Sequence, residues 1–339
     1  MNAVRSVLIV DDEPAVRDLM ARWVTSLGLT PTTAGSADEA LQTLRTRRHQ
    51  LAVIDVLMPG RNGLWLAEEL QRESPDTAVV IATAHTELLT DAPQDGPIAD
   101  YLIKPFRRER FVQAVDRGCE WRRHSLAESH WCAQLALELR DGVDAVHSYV
   151  TAQQVAGADE GAALVTLAAS RIPEVMAHSE RVVRFAVALA RELRLDGATL
   201  DLVECAARFH DIGKLAMPES LLTKPSKLEP GEAAIMRRHV EAGSEMLEWT
   251  VSLKDVAPIV RATHEWFGGG GYPSQLAGEA IPLASRVVSV ADAYDTMTQT
   301  RPYRNQLNAS EAVGELIRCA PSQFDPTIVQ AFLSLLARH

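Results

Sequence analysis

Five short apolar runs, separated by longer amphipathic stretches, fill the first third of the chain and leave few folds open to it. The runs cover 7–10, 29–33, 51–54, 78–82 and 101–103, each short enough for a strand. Between the first two, Val16, Leu19, Met20, Trp23, Val24 and Leu27 recur at helical spacing, and Gly28 is placed to end that helix. Ser36 with Glu39 three residues later fits a capping box at the start of the next. Such alternation predicts a doubly wound α/β domain: a five-stranded parallel sheet with helices on both faces.

In a sheet of this kind, ligands gather beyond the carboxyl ends of the strands. Those ends carry Asp11 and Asp12, then Asp55, Thr83 and Lys104. Three carboxylates in one crevice repel one another unless a divalent cation sits among them, and magnesium, a hard ion, suits oxygen ligands. A carboxylate held by a metal beside an amine is set up to accept a phosphoryl group, because both cations neutralise the charge that develops. One aspartate at a strand end is ordinarily a turn residue; the five groups together point to chemistry.

The other half reads as nearly all helix. His178 precedes the stripe Val182, Ala186, Leu189 and Leu193. His239 shares a stripe with Ile235, Met236, Gly243 and Met246, and His264 shares one with Val256, Ile259, Val260 and Thr263. His210 and Asp211 close an apolar helix, and Asp292 lies in the apolar run 287–297. A lone histidine on an apolar face is usually a satisfied core residue. Four of them with two buried aspartates are another matter, since unpaired buried carboxylates are costly. One metal cluster accounts for all six. Imidazole nitrogen and carboxylate oxygen suit iron, manganese, zinc or nickel, and Asp211 is placed to bridge two ions about 3.5–4 Å apart, the spacing of two-metal hydrolases.

Length and composition bound the rest. A chain of 339 residues accommodates two domains. The net charge of -11 argues against a nucleic acid polymer as partner, and a small anionic substrate needs only a local cluster of cations. No apolar run is long enough to cross a bilayer and no signal-peptide pattern precedes the first strand, so a cytoplasmic location without membrane attachment is expected. Cys119, Cys132, Cys205 and Cys319 are scattered, which favours free thiols. The last helix of the first domain runs on from Arg107 to about His124. A helical stretch follows over 126–155, and 156–159 is the linker candidate. That connector is either a dimerising helix, which would make a homodimer, or an ordinary packing helix.

The first third resembles the receiver domains of response regulators. The resemblance implies that Asp55 is the phosphoacceptor, that Asp11, Asp12 and Asp55 hold magnesium, and that Thr83 and Lys104 sense the phosphoryl group. It also makes Tyr101 the switch aromatic, expects a cis Lys104–Pro105 bond, and implies a cognate histidine kinase. The segment 87–100 departs from the pattern: Pro93, Gly96 and Pro97 predict a short or irregular helix on what is usually the output face.

The second half resembles the HD-GYP family of cyclic di-GMP phosphodiesterases. The resemblance rests on His210-Asp211-Ile212-Gly213-Lys214, His239, His264-Glu265, Gly271-Tyr272-Pro273, Ala291-Asp292-Ala293-Tyr294-Asp295, Arg301-Pro302-Tyr303-Arg304 and Phe324-Asp325-Pro326. It implies two divalent transition metal ions, iron or manganese, on His178, His210, Asp211, His239, His264 and Asp292. Glu174, one turn before His178, matches an acidic residue that some members use for a third ion. Asp211 and Lys214 would be catalytic, and Lys214, Arg301, Arg304, Gly271, Tyr272 and Pro273 would contact substrate. Two positions depart from the family: Thr263 stands where a histidine usually precedes the His-Glu pair, and Gly268 replaces the loop's usual aspartate.

The expected organisation is a receiver over 1–122, a helical connector over 123–160 and an all-α HD-GYP domain over 161–339. The expected function is hydrolysis of cyclic di-GMP to pGpG or GMP under control of Asp55 phosphorylation. The alternative is a weak or inactive domain acting as a cyclic di-GMP sensor or as an adaptor for GGDEF-domain proteins. Hydrolysis of another nucleotide is a third reading.

Overall fold

The computed structural model describes residues 6–85, 98–157, 159–299 and 306–338. The chain divides into two compact units, Met1–Trp131 and Cys132–His339.

In the first unit the strands are β1 (Ser6–Val10), β2 (Thr30–Ala34), β3 (Leu51–Asp55), β4 (Ala78–Thr83) and β5 (Ile98–Ile103). They pair in parallel in the order β2-β1-β3-β4-β5. The order reverses between β1 and β3, which opens a crevice at their carboxyl ends. Strands β1, β3 and β4 are buried throughout, because helices cover both faces and two apolar cores form, one on each side. Helix α1 (Pro14–Ser26) buries Met20 and Val24, and Gly28 takes a left-handed φ of 75° just after it. Helix α2 (Ala37–Thr46) starts on Ser36, whose side chain accepts from the Glu39 N–H. The Glu39 carboxylate takes the Gly35 N–H instead of the Ser36 N–H, so the expected capping box is displaced by one residue. Helix α3 (Gly63–Glu73) is capped by Asn62. The Lys104–Pro105 bond is cis. Most of the segment 87–100 lies outside the described residues, and only its last part is seen, as the start of β5.

Helix α4 (Arg108–Val155) joins the two stretches read from the sequence into one. Phe111, Ala114 and Val115 belong to the core of the first unit, and Leu139, Val146 and Val150 to that of the second. The expected linker follows it: Gly157 has φ 78° and Asp159 caps α5 (Glu160–Arg171), while Ala158 lies outside the described residues.

The second unit is helical. Its main elements are α6 (Pro173–Glu192), α7 (Gly197–Phe209), α9 (Pro230–Arg237), α10 (His239–Glu248), α11 (Ala257–Arg261), α12 (Leu283–Thr298), α13 (Ala309–Cys319) and α14 (Pro326–Leu336), with a short α8 (Glu219–Leu222). A 3-10 turn over Ile212–Ala216 follows α7. One core unites them, in which Val182, Ala186 and Leu189 of α6 meet Val203 and Ala206 of α7 and Val287, Val290 and Ala291 of α12. Asp325 caps α14 and accepts from Arg286, which gives the Phe324-Asp325-Pro326 motif a structural task. Among the described residues no helix is long and apolar enough to cross a membrane.

Candidate metal centre and receiver crevice

In the first unit the strand ends deliver the expected side chains to one crevice. Asp11, Asp12 and Asp55 each present an oxygen, all within 4.8 Å of one another. Lys104 Nζ lies 2.8 Å from Asp11 Oδ2 and 3.0 Å from Asp55 Oδ2. Burial pushes the Asp55 carboxyl up and Lys104 opposes it. Burial works against charge on Lys104, but the two carboxylates win and raise its pKa. Thr83 ends β4, buried, and its hydroxyl accepts from the His85 N–H. Tyr101 packs half-buried against the sheet core.

In the second unit four helices and two turns converge. His178 sits on the buried side of α6, and His210 and Asp211 follow directly on α7. His239 opens α10, His264 lies in the turn beyond α11, and Asp292 lies on α12. The stripe read around His239 is thus broken at Arg238, and His264 has left the helix that carries Ile259 and Val260. The backbones come close because residue 213 is glycine. A Cβ there would stand 1.9 Å from the His239 carbonyl oxygen, so only glycine lets the turn after Asp211 lie against the start of α10.

Six side chains form two groups: His178, His210 and Asp292, and Asp211, His239 and His264. Within each group the ligand atoms lie within 4.8 Å of one another. The two groups meet at Asp211. Its Oδ1 is 3.2 Å from His239 Nε2, and its Oδ2 is 3.5 Å from His210 Nε2.

Hydrogen bonds fix which imidazole nitrogen faces inward. His210 Nδ1 donates to the Ala207 carbonyl and His239 Nδ1 to the Met236 carbonyl, both at 2.8 Å. Carbonyl oxygens only accept, so these rings carry Nδ1–H and turn an Nε2 lone pair inward. His239 Nε2 and His264 Nε2 stand 3.2 Å apart. His210 Nε2 is buried and has no hydrogen-bond partner among the described residues. An orphaned buried nitrogen facing carboxylates fits a cation.

The field around the centre agrees. Burial and the neighbouring His239 push His264 down to about 4, which leaves it neutral at pH 7. Burial opposes charge on His178, yet Asp292 and Asp295 lift it to about 9. Burial likewise opposes charge on Asp211 and Asp292, but the cations and imidazoles around them hold both below the ordinary carboxylate range.

Other expected site residues are placed as follows. Lys214 Nζ is 2.5 Å from Asp211 Oδ2. The Tyr272 ring stacks on His264, with centroids 5.2 Å apart and planes at 8°. Gly271 and Pro273 flank it in a loop held by Glu265, whose buried carboxylate accepts the Ser274 and Leu276 N–H groups. Glu174 is exposed in the first turn of α6 and belongs to neither group. Thr263 is buried, and its hydroxyl donates to the Val260 carbonyl. Donors for a third ion are therefore not gathered among the described residues. Arg301 and Arg304 lie outside them.

Sequence reading missed the role of Asp295. It accepts from His178 Nδ1 at 2.7 Å and is gripped by Arg181 at 2.8 Å. A carboxylate behind a ligating histidine fixes the ring and raises its basicity. The available signal was the spacing of Asp292 and Asp295, which puts both near one face of a helix.

A parallel sheet ending in a carboxylate crevice, followed by a helical unit with a histidine–aspartate centre, defines a two-domain signalling protein of receiver and HD type. Residues 7–116 match the response regulator receiver domain, and residues 162–328 match the HD domain. The chain belongs to the response regulators that carry an N-terminal receiver domain and a C-terminal HD-GYP domain of the cyclic di-GMP phosphodiesterase type. It is 30% identical to the cyclic di-GMP phosphodiesterase response regulator RpfG of Xanthomonas campestris pv. campestris, over 97% of this chain and 87% of that one. It is 28% identical to a cyclic di-GMP phosphodiesterase of Thermotoga maritima, over 97% of this chain and 90% of that one. Over 48% of this chain and 32% of the other, it is 36% identical to the 3'3'-cGAMP-specific phosphodiesterase 2 of Vibrio cholerae.

Proposed function

We propose that this protein hydrolyses a guanine-containing cyclic dinucleotide, cyclic di-GMP above all, and that phosphorylation of Asp55 by a histidine kinase controls it. The orphaned His210 Nε2 between Asp211 and Asp292 carries the reading, because it marks a cation site built into a buried core. His178, His210 and Asp292 would hold one divalent ion, and Asp211, His239 and His264 a second, with Asp211 able to serve both. When bound, iron or manganese would supply Lewis acidity and positive charge to the phosphodiester.

The chain's own residues do the rest. The Nδ1–H bonds to Ala207, Met236 and Asp295 hold three imidazoles in place. Lys214, partly exposed beside Asp211, supplies a point charge to a non-bridging phosphate oxygen. Tyr272 keeps His264 from turning. In the net reaction water adds to phosphorus and the ribose 3′ oxygen leaves as a hydroxyl, giving pGpG and, after a second cleavage, GMP. In the receiver, magnesium on Asp11, Asp12 and Asp55 would serve phosphoryl transfer, with Thr83 and Lys104 reading the product. The domain limits we adopt are 1–122, 123–160 and 161–339.

The test is to incubate anaerobically purified protein, supplied with ferrous iron or manganese, with cyclic di-GMP and separate the products. Linear pGpG or GMP is expected, and none from Asp211→Ala. A second reading, a sensor of cyclic di-GMP or an adaptor for GGDEF-domain proteins, is motivated by Thr263, whose hydroxyl is spent on Val260. Cyclic di-GMP binding without turnover by metal-loaded protein, both with and without phosphorylation of Asp55, would favour it.

A further inference from the structure

Beside the metal centre lies a cavity of about 260 Å³ that no residue role described so far uses. His264 and Asp292 are among its lining residues, so it adjoins the ligands themselves. Trp266, Met297, Glu315, Gln323 and Phe324 line it as well. Sites for whole small molecules run from about 300 to 1,000 Å³, so this one suits a single planar ring system.

The glycine run joins the segments that line it. Gly268 N–H donates to the Ser322 carbonyl at 2.9 Å, and Phe267 N–H to the Gln323 carbonyl at 3.0 Å. These bonds stitch the loop to the segment that carries Gln323 and Phe324. A Cβ on residue 268 would stand 2.8 Å from the Ser322 oxygen, so an aspartate there would force the two segments apart. Next to it, a Cβ on residue 270 would stand 3.1 Å from the Trp266 indole. Bare backbone at 268 and 270 therefore lets the loop meet the segment that carries Gln323 and Phe324 and gives the indole its place, with Trp266 still 41% exposed. A partly exposed indole that lines one cavity with Met297 and Phe324 is a stacking platform.

We infer that this cavity is a guanine subsite, in which one base of the cyclic dinucleotide stacks on Trp266 while its edge is read by Glu315 and Gln323. A carboxylate only accepts hydrogen bonds. It therefore pairs with the N1–H and N2–H groups of guanine, whereas adenine offers a lone pair at N1. The Gln323 amide can donate to guanine O6. Glu315 is held by Arg318 through both of its oxygens, at 2.9 and 2.5 Å; the Arg318 side chain is 70% exposed, and the guanine edge would take its place on the carboxylate. The inference rests on the proposed substrate class and names the part of it that the site recognises.

Binding of GMP and AMP to the metal-loaded full chain tests it without need of turnover, read by calorimetry beside the metal content of each variant. Wild type should prefer GMP. Trp266→Ala should weaken GMP about tenfold or more, as loss of a base–aromatic stack does, with metal content unchanged, and Trp266→Phe should recover most of it. Glu315→Gln should lower the preference for GMP over AMP by about tenfold. GMP binding undiminished in Trp266→Ala, equal binding of AMP and GMP by wild type, or metal lost in Trp266→Ala would each overturn the subsite. If wild type cleaves no cyclic di-GMP yet shows this GMP pattern, the phosphodiesterase reading falls and the subsite stands. If it cleaves cyclic di-GMP and the Trp266→Ala variant keeps its KM, the reverse holds.

Discussion

The receiver crevice and the helical centre both crowd acidic groups into small spaces, and they balance the charge in different ways. In the crevice one lysine spans two carboxylates: Lys104 lies at hydrogen-bond distance from both Asp11 and Asp55. That cation is covalently part of the chain and offsets repulsion whether or not an ion is present. In the centre, among the described residues, Lys214 reaches Asp211 alone. There His210 and His239 turn inward nitrogens that are fixed as acceptors, and these gain most from a cation that comes from outside. On the function proposed above, the first site would exchange its ligand at each signalling cycle and the second would retain it.

The strongest attack on that contrast is Asp211→Ala. It removes the group that faces both triads, so metal content should fall for both ions and phosphodiesterase activity by about 10³-fold or more, or roughly 4 kcal/mol. Product analysis and metal quantification on the same sample check it.

Next in size is metal removal. A chelator should destabilise the second unit by about 3 kcal/mol, the linkage expected for an ion held at about a hundred times its Kd. Stripping magnesium should move the first unit by less than about 1 kcal/mol at free ion near its Kd. Hydrogen exchange in α12 against β3 reads the two separately, and equal effects would erase the distinction.

Asp295→Asn should act on one triad only. It weakens the acceptor behind His178 and should cost about 10–100-fold in affinity for the ion held with His210 and Asp292. Chelator competition should then show one weakened ion and one unchanged.

The smallest effect lies in the receiver, away from either site. His49 is buried at the entrance to β3, and burial holds its pKa below the ordinary value, with the charge of Arg47 adding to this. A depressed folded pKa contributes stability that is present above the unfolded value and lost as pH falls through it toward the folded one. The receiver should therefore lose up to about 1.4 kcal/mol per pH unit below about 6.5. His49→Phe should flatten that slope in urea unfolding between pH 7.5 and 5.5.

How far the sequence could be read follows the same divide. The crevice was legible because a parallel sheet turns local order into position: every strand end points the same way, so Asp11, Asp55, Thr83 and Lys104 could be placed from strand limits alone. The centre was legible as a set of residues and not as a geometry. His239 and His264 sit on apolar stripes in the sequence, yet one starts a helix and the other lies beyond one. Periodicity registers a face and says nothing of where the helix breaks. The role of Asp295 stayed hidden because its partner His178 is 117 residues away. Gly268 read from sequence only as a departure from the family's loop. Its carbonyl neighbour, Ser322, comes from another part of the chain, and only the fold shows why a side chain would not fit there.

His210 and Asp211 are neighbours in the chain and members of different triads. One peptide unit thus acts as a ruler between the two halves of the centre, and no breathing of the helices can stretch it. Damage should sort accordingly. A substitution that shifts α7 displaces one ligand from each half at once, whereas a shift of α6, α10 or α12 spoils one half and spares the other. Partial loading should be a signature of lesions in those three helices and should be rare for lesions in α7.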